Sequence, residues 1–430
     1  MGVLDTFVAP RPNRAMIAAM TRVNRVLMLK GLPLVRDIAP FNRIPGLRGL
    51  AAVRHLAFAD DDRARLAAMA GPGKAVFFLP NHPEFFTDWM IDKEILSRVA
   101  PFAASWATNG VVNGMGGLAQ KFWLANNLVA QIPGDSTPAK AHSIDWALQG
   151  HGVLLHPEGQ VGWHGDHIAP LMPGAADMAA EAVARMAAKG LTPRVFLAPI
   201  VWKLVFLGDV RAALARECAY VERKLDVDAN PADPVSKRIW AIYNKLFQRK
   251  AEHLAIAVDV NRPLGVRRLL LIGAHSDRLV GLVGPADNDA DLRRKARRRE
   301  RDIRNVEPDR AREIRGHLDA LAKLDRLGDF AYVEPKMTQE HMAEHLKRLR
   351  TDYCKGSWRD TVNTFLPQAA APRRALVRAP EPLAMHEFSG SATDAMALVR
   401  TRMQVALDAI NAEIRGQGGF VQEPNPFHTR

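Results

Sequence analysis

The feature that most restricts what this chain can fold into is a rhythm between residues 72 and 210. Short apolar runs, most of them closed by Pro, Gly or Asn, alternate with segments of helical spacing. Ala75–Leu79 runs into Pro80-Asn81-His82, and Phe102–Ala107, Leu128–Ile132, Gly152–His156 and Val195–Val201 are further runs of the same kind. Short apolar stretches without polar alternation are what a strand covered on both faces requires. Between them Asp88–Arg98, Met115–Asn126, the stretch from Thr137 to Gly150 and Gly174–Lys189 carry helical patterns. Thr137 is read as a cap with Pro138 in the first turn, and Gly150 and Gly190 stand where helices end. Strands alternating with helices predict an α/β fold whose largely parallel sheet is flanked by helices.

Outside this segment the character changes. Residues 1–71 are predicted to form a helical, basic N-terminal preamble. In Arg14–Lys30, Met16, Ile17, Met20, Val23, Val26 and Leu27 fall at helical spacing, which suits a helix packed on the core or a surface that touches lipid. Residues 211–430 are predicted to be a mainly helical C-terminal extension, with helices over 217–256 and 306–327. Within it, the basic run Arg293–Arg304 reads as a solvated helix face, Pro372–Pro382 as a linker, and Asp394–Ile414 as a final amphipathic helix.

Charge and cysteine content narrow the partners. The chain has 59 Lys and Arg against 46 Asp and Glu, a net +13, which favours an anionic partner. A nucleic acid, an anionic membrane and the phosphates of coenzyme A all qualify. No zinc-finger spacing, reading helix or aromatic RNA motif is present, so nucleic acid is not expected. The two cysteines, Cys218 and Cys354, form no disulfide framework, which suits a reducing compartment. The N-terminus shows no secretory pattern. Val195–Leu207 contains Pro199 and Lys203, and Leu264–Gly284 is interrupted by Arg267, Arg268, Asp277 and Arg278, so neither reads as a membrane span. Any membrane association is expected to be peripheral, on the cytoplasmic face.

The chemistry is concentrated where the apolar runs end. The first ends in Asn81-His82-Pro83-Glu84-Phe85-Phe86-Thr87-Asp88. The carboxyl ends of parallel strands are where ligands bind in open sheets. An imidazole there, with a carboxylate nearby to fix its tautomer, is a general base able to deprotonate a substrate hydroxyl directly. No Gly-x-Ser-x-Gly elbow or motif-embedded cysteine signals a protein nucleophile. A second run ends in His156-Pro157-Glu158-Gly159-Gln160 and a third contains Ala198-Pro199-Ile200. Glu158 is placed to hydrogen-bond an acceptor or to support the base, and Gly159 to let a ligand approach the backbone. His156, His164, Asp166 and His167 form a compact polar group, but they lack the helical i, i+4 pair or cysteine partner of a zinc site, and no metal or bound cofactor is expected.

In this order, Asn81-His82 with a following Asp88, then Pro157-Glu158-Gly159, then Ala198-Pro199-Ile200, the chain resembles the glycerolipid acyltransferase superfamily of the lysophosphatidic acid acyltransferase type. Gly174-Ala175-Ala176 resembles that family's Gly-Ala pair at a helix start. The resemblance covers residues 72–210. It implies transfer of a fatty acyl group from acyl-CoA or acyl-carrier protein to a hydroxyl of a lysophospholipid or related lipid acceptor, in phospholipid biosynthesis, at an anionic membrane surface. By that resemblance His82 is the base, Asp88 its orienting partner, and Asn81, Pro157, Glu158 and Gly159 belong to the substrate site. The alternative is a non-catalytic lipid-surface protein that keeps the fold without the chemistry.

Two departures from the family pattern make structural demands. The family places its Asp after four intervening residues, where this chain has Thr87, and Asp88 comes one later. In a continuous helix one extra residue turns a side chain by about 100°, so a bulge at Phe85-Phe86 is predicted to restore contact. The family's phosphate-binding arginine is absent from Val129–Asp135, and Gln160-Val161 follows the Pro-Glu-Gly segment. Either Lys121 or Lys203 takes that role, or the acceptor carries no phosphomonoester.

Overall fold

The computed structural model describes residues 6–114, 116–132, 135–162, 164–365, 369–417, 419 and 421–428. The chain divides into two compact units, Met1–Gly208 with Thr361–Phe420, and Asp209–Asp360 with Val421–Arg430.

The first unit is α/β, built on a mostly parallel sheet. Its strands are β1 (Val53–Phe58), β2 (Ala75–Pro80), β3 (Ala104–Thr108), β4 (Leu128–Gln131), β5 (Val153–Leu154), β6 (Val195–Phe206) and a late strand, Arg373–Arg378. They lie in the order β1, Arg373–Arg378, β6, β2, β5, β3, β4, and Leu383–Ala384 adds to β6. All pairs are parallel except where β6 meets the two late strands. β6 changes partner along its length, with Val195–Ile200 against β2 and Val201–Phe206 against Arg373–Arg378.

β2 lies inside the sheet and is buried at every residue. Side chains alternate across a strand, and here both faces are covered. Ala75, Phe77 and Leu79 pack with Ala139, Ile144, Ala175, Ala179 and the helix Ala392–Gly416. Val76 and Phe78 pack with Met90, Ile91 and Ile95 of the helix Thr87–Val99. This two-sided cover is why the strand-like runs lack polar alternation.

Three expectations need correction. Val53–Phe58 lies in the segment predicted as a helical preamble, yet it is a strand paired in parallel with Arg373–Arg378. Pro372–Pro382 was predicted as a linker, and its arginines mask two strands, Arg373–Arg378 and Leu383–Ala384 beyond it. The last long helix packs on the same sheet through Met396, Val399, Met403, Leu407 and Ile410, so residues 361–420 belong with the α/β unit and not with the helical extension. Each of these segments finds its partner hundreds of residues away, and local pattern carries no trace of that pairing. Arg14–Val23 is helical as predicted and continues as a π-helical stretch over Asn24–Lys30.

The second unit is mainly helical. Helices Arg211–Leu225, Val235–Leu254, Leu264–Val283, Asp289–Ile303, Pro308–Asp325 and Gln339–Tyr353 are joined by an antiparallel pair of short strands, Lys336–Thr338 with Gln422–Pro424. In the basic run, Arg293 pairs with Asp289 and Asp325, and Arg304 and Arg315 both pair with Glu300. Much of that charge is thus spent on neighbouring carboxylates. Among the described residues no helix is long and apolar enough to cross a membrane.

A buried ion pair ties the first unit together. Arg373 donates to both oxygens of Glu84, at 2.8 and 3.1 Å, and also to the Ala51 carbonyl at 2.8 Å. Removing one partner of such a pair strands a buried charge. Arg373→Ala is therefore expected to cost about 3–5 kcal/mol in urea denaturation. The double variant Glu84→Gln, Arg373→Met is expected to cost less than Arg373→Ala alone.

Candidate active site

The end of β2 is fixed before His82 is reached. The Asn81 backbone N–H donates to Ile200, its side-chain amide donates to the Trp202 carbonyl at 3.0 Å, and its side-chain oxygen accepts from the Trp202 N–H at 2.9 Å. Asn81 is 1% exposed. Its side chain extends the β2–β6 ladder by one rung. The expectation that Asn81 binds substrate is corrected accordingly, because both ends of its amide are committed to β6.

His82 is then held by its own backbone. Its N–H donates to Glu158 Oε1 at 2.8 Å, and its carbonyl accepts from the Gly162 N–H at 2.9 Å. The other Glu158 oxygen accepts from the Ala169 N–H at 3.2 Å. Glu158 is thus a clamp for the His82 peptide, where the sequence suggested an acceptor ligand. Pro157 gives its carbonyl to the Met172 N–H. Gly159 sits at φ +73°, and a Cβ there would strike the Met172 sulfur. The open approach expected over Gly159 is occupied by Met172, and glycine is required by the turn.

Beyond His82 the backbone makes the predicted bulge. Phe86 has φ +65° and caps the helix Thr87–Val99. A non-glycine residue in this region costs about 1–3 kcal/mol, and its ring stacks on Trp89, with centroids 5.9 Å apart. The kink brings Asp88 onto the imidazole: His82 Nδ1 lies 2.8 Å from Asp88 Oδ2. Thr87, in the position where the family carries its Asp, is buried and donates to Glu84.

A second imidazole–carboxylate pair, absent from the sequence reading, lies beside the first. His156 Nε2 is 2.9 Å from Asp92 Oδ2. The two rings lie tilted against one another, with centroids 3.9 Å apart and planes 37° from parallel. The arrangement follows from topology. β2 and β5 are parallel neighbours, Phe78 opposite Leu154, so the residues just past their ends meet. Asp88 and Asp92 are one turn apart on one helix, so they share a face. The tripeptide His-Pro-Glu occurs twice, at 82–84 and 156–158. That repeat, with the i, i+4 aspartates, was the available signal.

Both carboxylates are nearly buried and both rings keep a small exposed part, 15% for His82 and 13% for His156. In each pair the oxygen stands at ion-pair distance but off the ring N–H axis, without an aligned hydrogen bond. Such bonds are often loose before substrate arrives. Burial, and then the neighbouring His156, lower the His82 pKa, against the pull of Asp88. Burial also works to lower that of His156, but Asp92, with Asp88 and Glu158, outweighs it and the net direction is up. Burial raises Asp92 to about 6 despite His156.

His82, Asp88 and His156 offer ligand atoms within 4.8 Å of one another, the one such group among the described residues. Each imidazole there also faces a carboxylate of its own, Asp88 for His82 and Asp92 for His156. Among the described residues, His156, His164, Asp166 and His167 are not gathered into one metal-ligand group. Asp166 is bound by Lys203 and Asn411, and Lys203 is itself buried, with Nζ donating to Asn411 at 2.6 Å. Lys203 is therefore committed inside the unit, which removes it as the substitute phosphate ligand. Lys121 is exposed on the helix Gly117–Ala125.

Compared with known proteins, the chain matches no family model and no curated sequence at a significant level.

Burial raises the Glu158 carboxyl from 4.5 to about 7, against the two backbone N–H groups it accepts from. The folded protein therefore holds a proton there that the unfolded chain has already lost. Stability from this group falls as pH rises from 4.5 to about 7. Glu158→Gln removes that slope. Its melting temperature is expected to gain on that of the parent between about pH 5 and pH 8.

Proposed function

We propose that this chain transfers a fatty acyl group from a thioester, acyl-CoA or acyl-carrier protein, to a hydroxyl of a lysophospholipid or related lipid acceptor. The observation that carries this reading is the His82–Asp88 contact, formed through the Phe86 kink at the carboxyl end of a buried parallel strand. A base whose pKa is lowered is neutral at physiological pH and ready to accept a proton. The acceptor hydroxyl gives its proton to His82 as its oxygen attacks the thioester carbonyl. The tetrahedral adduct then collapses, the carbon–sulfur bond breaks, and the thiolate takes the proton back from the imidazolium. Asp88 keeps the ring in one tautomer and stabilises its charged form. No protein nucleophile is needed, and both cysteines are buried in the other unit.

The acceptor comes from a bilayer in this reading, and the segment 14–48 is the surface that meets it. Met16, Val23, Val26, Leu27, Leu34, Ile38, Phe41 and Ile44 are all exposed, with Leu34 87% exposed. Arg14, Arg22 and Arg25 are exposed among them. Exposed apolar side chains interleaved with arginine suit shallow insertion into an anionic interface, peripheral on the inner face of a membrane.

Thiol release from acyl-CoA in the presence of a panel of lysolipids and alcohols tests the chemistry. His82→Ala is expected to reduce turnover about 10²–10⁴-fold, Asp88→Asn to follow it, and Thr87→Val to affect stability more than rate. Absence of thiol release with every acceptor would favour the non-catalytic lipid-surface alternative. Flotation with vesicles tests the membrane. Anionic vesicles are expected to bind the protein, high salt to weaken that binding, and Leu34→Asp with Phe41→Asp to weaken it without lowering the melting temperature.

A further inference from the structure

The base reading accounts for His82 and Asp88 and leaves His156 and Asp92 unused. Two buried carboxylates a turn apart, each set against its own imidazole, are costly to maintain for packing alone. The rings sit tilted against one another with centroids 3.9 Å apart, each keeps a small exposed part, and they come from the ends of adjacent strands. A reacting carbonyl placed beside His82 is therefore beside His156 as well.

We propose that His156, braced by Asp92, is the electrostatic partner of the thioester carbonyl oxygen as the tetrahedral adduct forms. This rests on the acyl-transfer reading and adds the component that reading lacks, a donor for the developing oxyanion. With Nε2 turned to Asp92, Nδ1 is the ring's remaining donor. As the carbon–oxygen bond forms, the carbonyl π pair moves onto oxygen and the His156 N–H hydrogen-bonds to it. On collapse that pair returns to the carbonyl, the sulfur leaves, and His156 keeps its proton throughout. The groups facing His156 are His82 from the end of β2, Asp88 and Asp92 from the helix Thr87–Val99, and Glu158 from its own loop, with Arg400 acting on Glu158. The opposed directions of the two imidazoles agree with this division: His82 is shifted toward the neutral form that takes a proton, His156 toward the charged form that faces an anion.

The test uses the full chain, an acyl-CoA donor and the acceptor that supports turnover. His156→Phe keeps the ring and removes the N–H and charge. It is expected to lower kcat about 10²–10³-fold with KM little changed. It is also expected to move the acid limb of the kcat/KM profile to higher pH, because the charge that depresses His82 is gone. His156→Gln, which retains an N–H donor, is expected to recover part of the loss, and Asp92→Asn to fall between Gln and the parent. Wild-type kcat in His156→Phe, an acid limb that stays in place, or equal loss in Phe and Gln would each overturn the proposal. So would activity removed by a chelator and restored by zinc, which would make the cluster a cation shell. Ring nitrogen NMR separates this proposal from the reading beneath it. His156 is expected to remain imidazolium at neutral pH while His82 is neutral, whatever the turnover. If the parent transfers no acyl group from any donor, the acyl-transfer reading fails. If the parent is active and His156 is neutral, only this proposal fails.

Discussion

Everything at the candidate site depends on where one arginine is anchored. Arg373 arrives on a late strand and reaches back to two early segments, the Ala51 carbonyl beside β1 and the Glu84 carboxylate in the loop after His82. Glu84 in turn accepts from Thr87, the first residue of the helix that carries both aspartates. The loop between imidazole and carboxylates is therefore pinned from outside by a charge it cannot release cheaply, since a lone carboxylate there has no water to turn to. This pinning is what allows Phe86 to remain in a backbone conformation that costs energy. Strain in the kink is paid back as geometry, because the kink delivers Asp88 to His82.

The site also shows how environment can divide two chemically identical groups. Both imidazoles are desolvated to a similar degree, and each has one carboxylate. Their directions differ through the rest of the field: His82 has a second imidazole against it, whereas His156 feels three carboxylates. The backbone of His82 is gripped on both sides by the loop from Glu158 to Gly162, so the ring has a fixed origin. Asn81, on the strand before the ring, and Glu158 serve that fixation.

Much of this was legible in the amino-acid order, within limits that have physical reasons. β2, β6 and the helix after Thr87 were visible because burial on both faces writes continuous apolar runs and helical spacing into local sequence. The contact of His82 with Asp88 was legible too, down to the bulge that makes it. The strand Arg373–Arg378 was not, since its arginines answer to Glu84 and Gln417 and hide its apolar positions. Nor was β1, whose partner is that same strand. Asn81 and Glu158 looked like ligands because polar residues at a strand end usually are. Only the structure shows that backbone groups of β6 and of His82 have already taken their hydrogen bonds. The His156–Asp92 pair stayed hidden because it needs two strand ends and one helix face at once.

The path of the chain between its two units has a consequence for synthesis. It leaves the sheet after β6, builds the helical unit over 209–360, returns at 361 to lay down Arg373–Arg378 beside β6, and then crosses once more to place Gln422–Pro424 on Lys336–Thr338. At the return, the Leu207 N–H meets the Pro372 carbonyl, so departure and re-entry are neighbours. A nascent chain emerging from the ribosome therefore holds an unfinished sheet, with half of β6 bare, for the whole time the helical unit is made. That helical unit waits in turn for its closing strand until the sheet is done. Neither body is a finished bead that the other follows. They are interleaved, and completion runs backwards through the chain, each late segment sealing an early one.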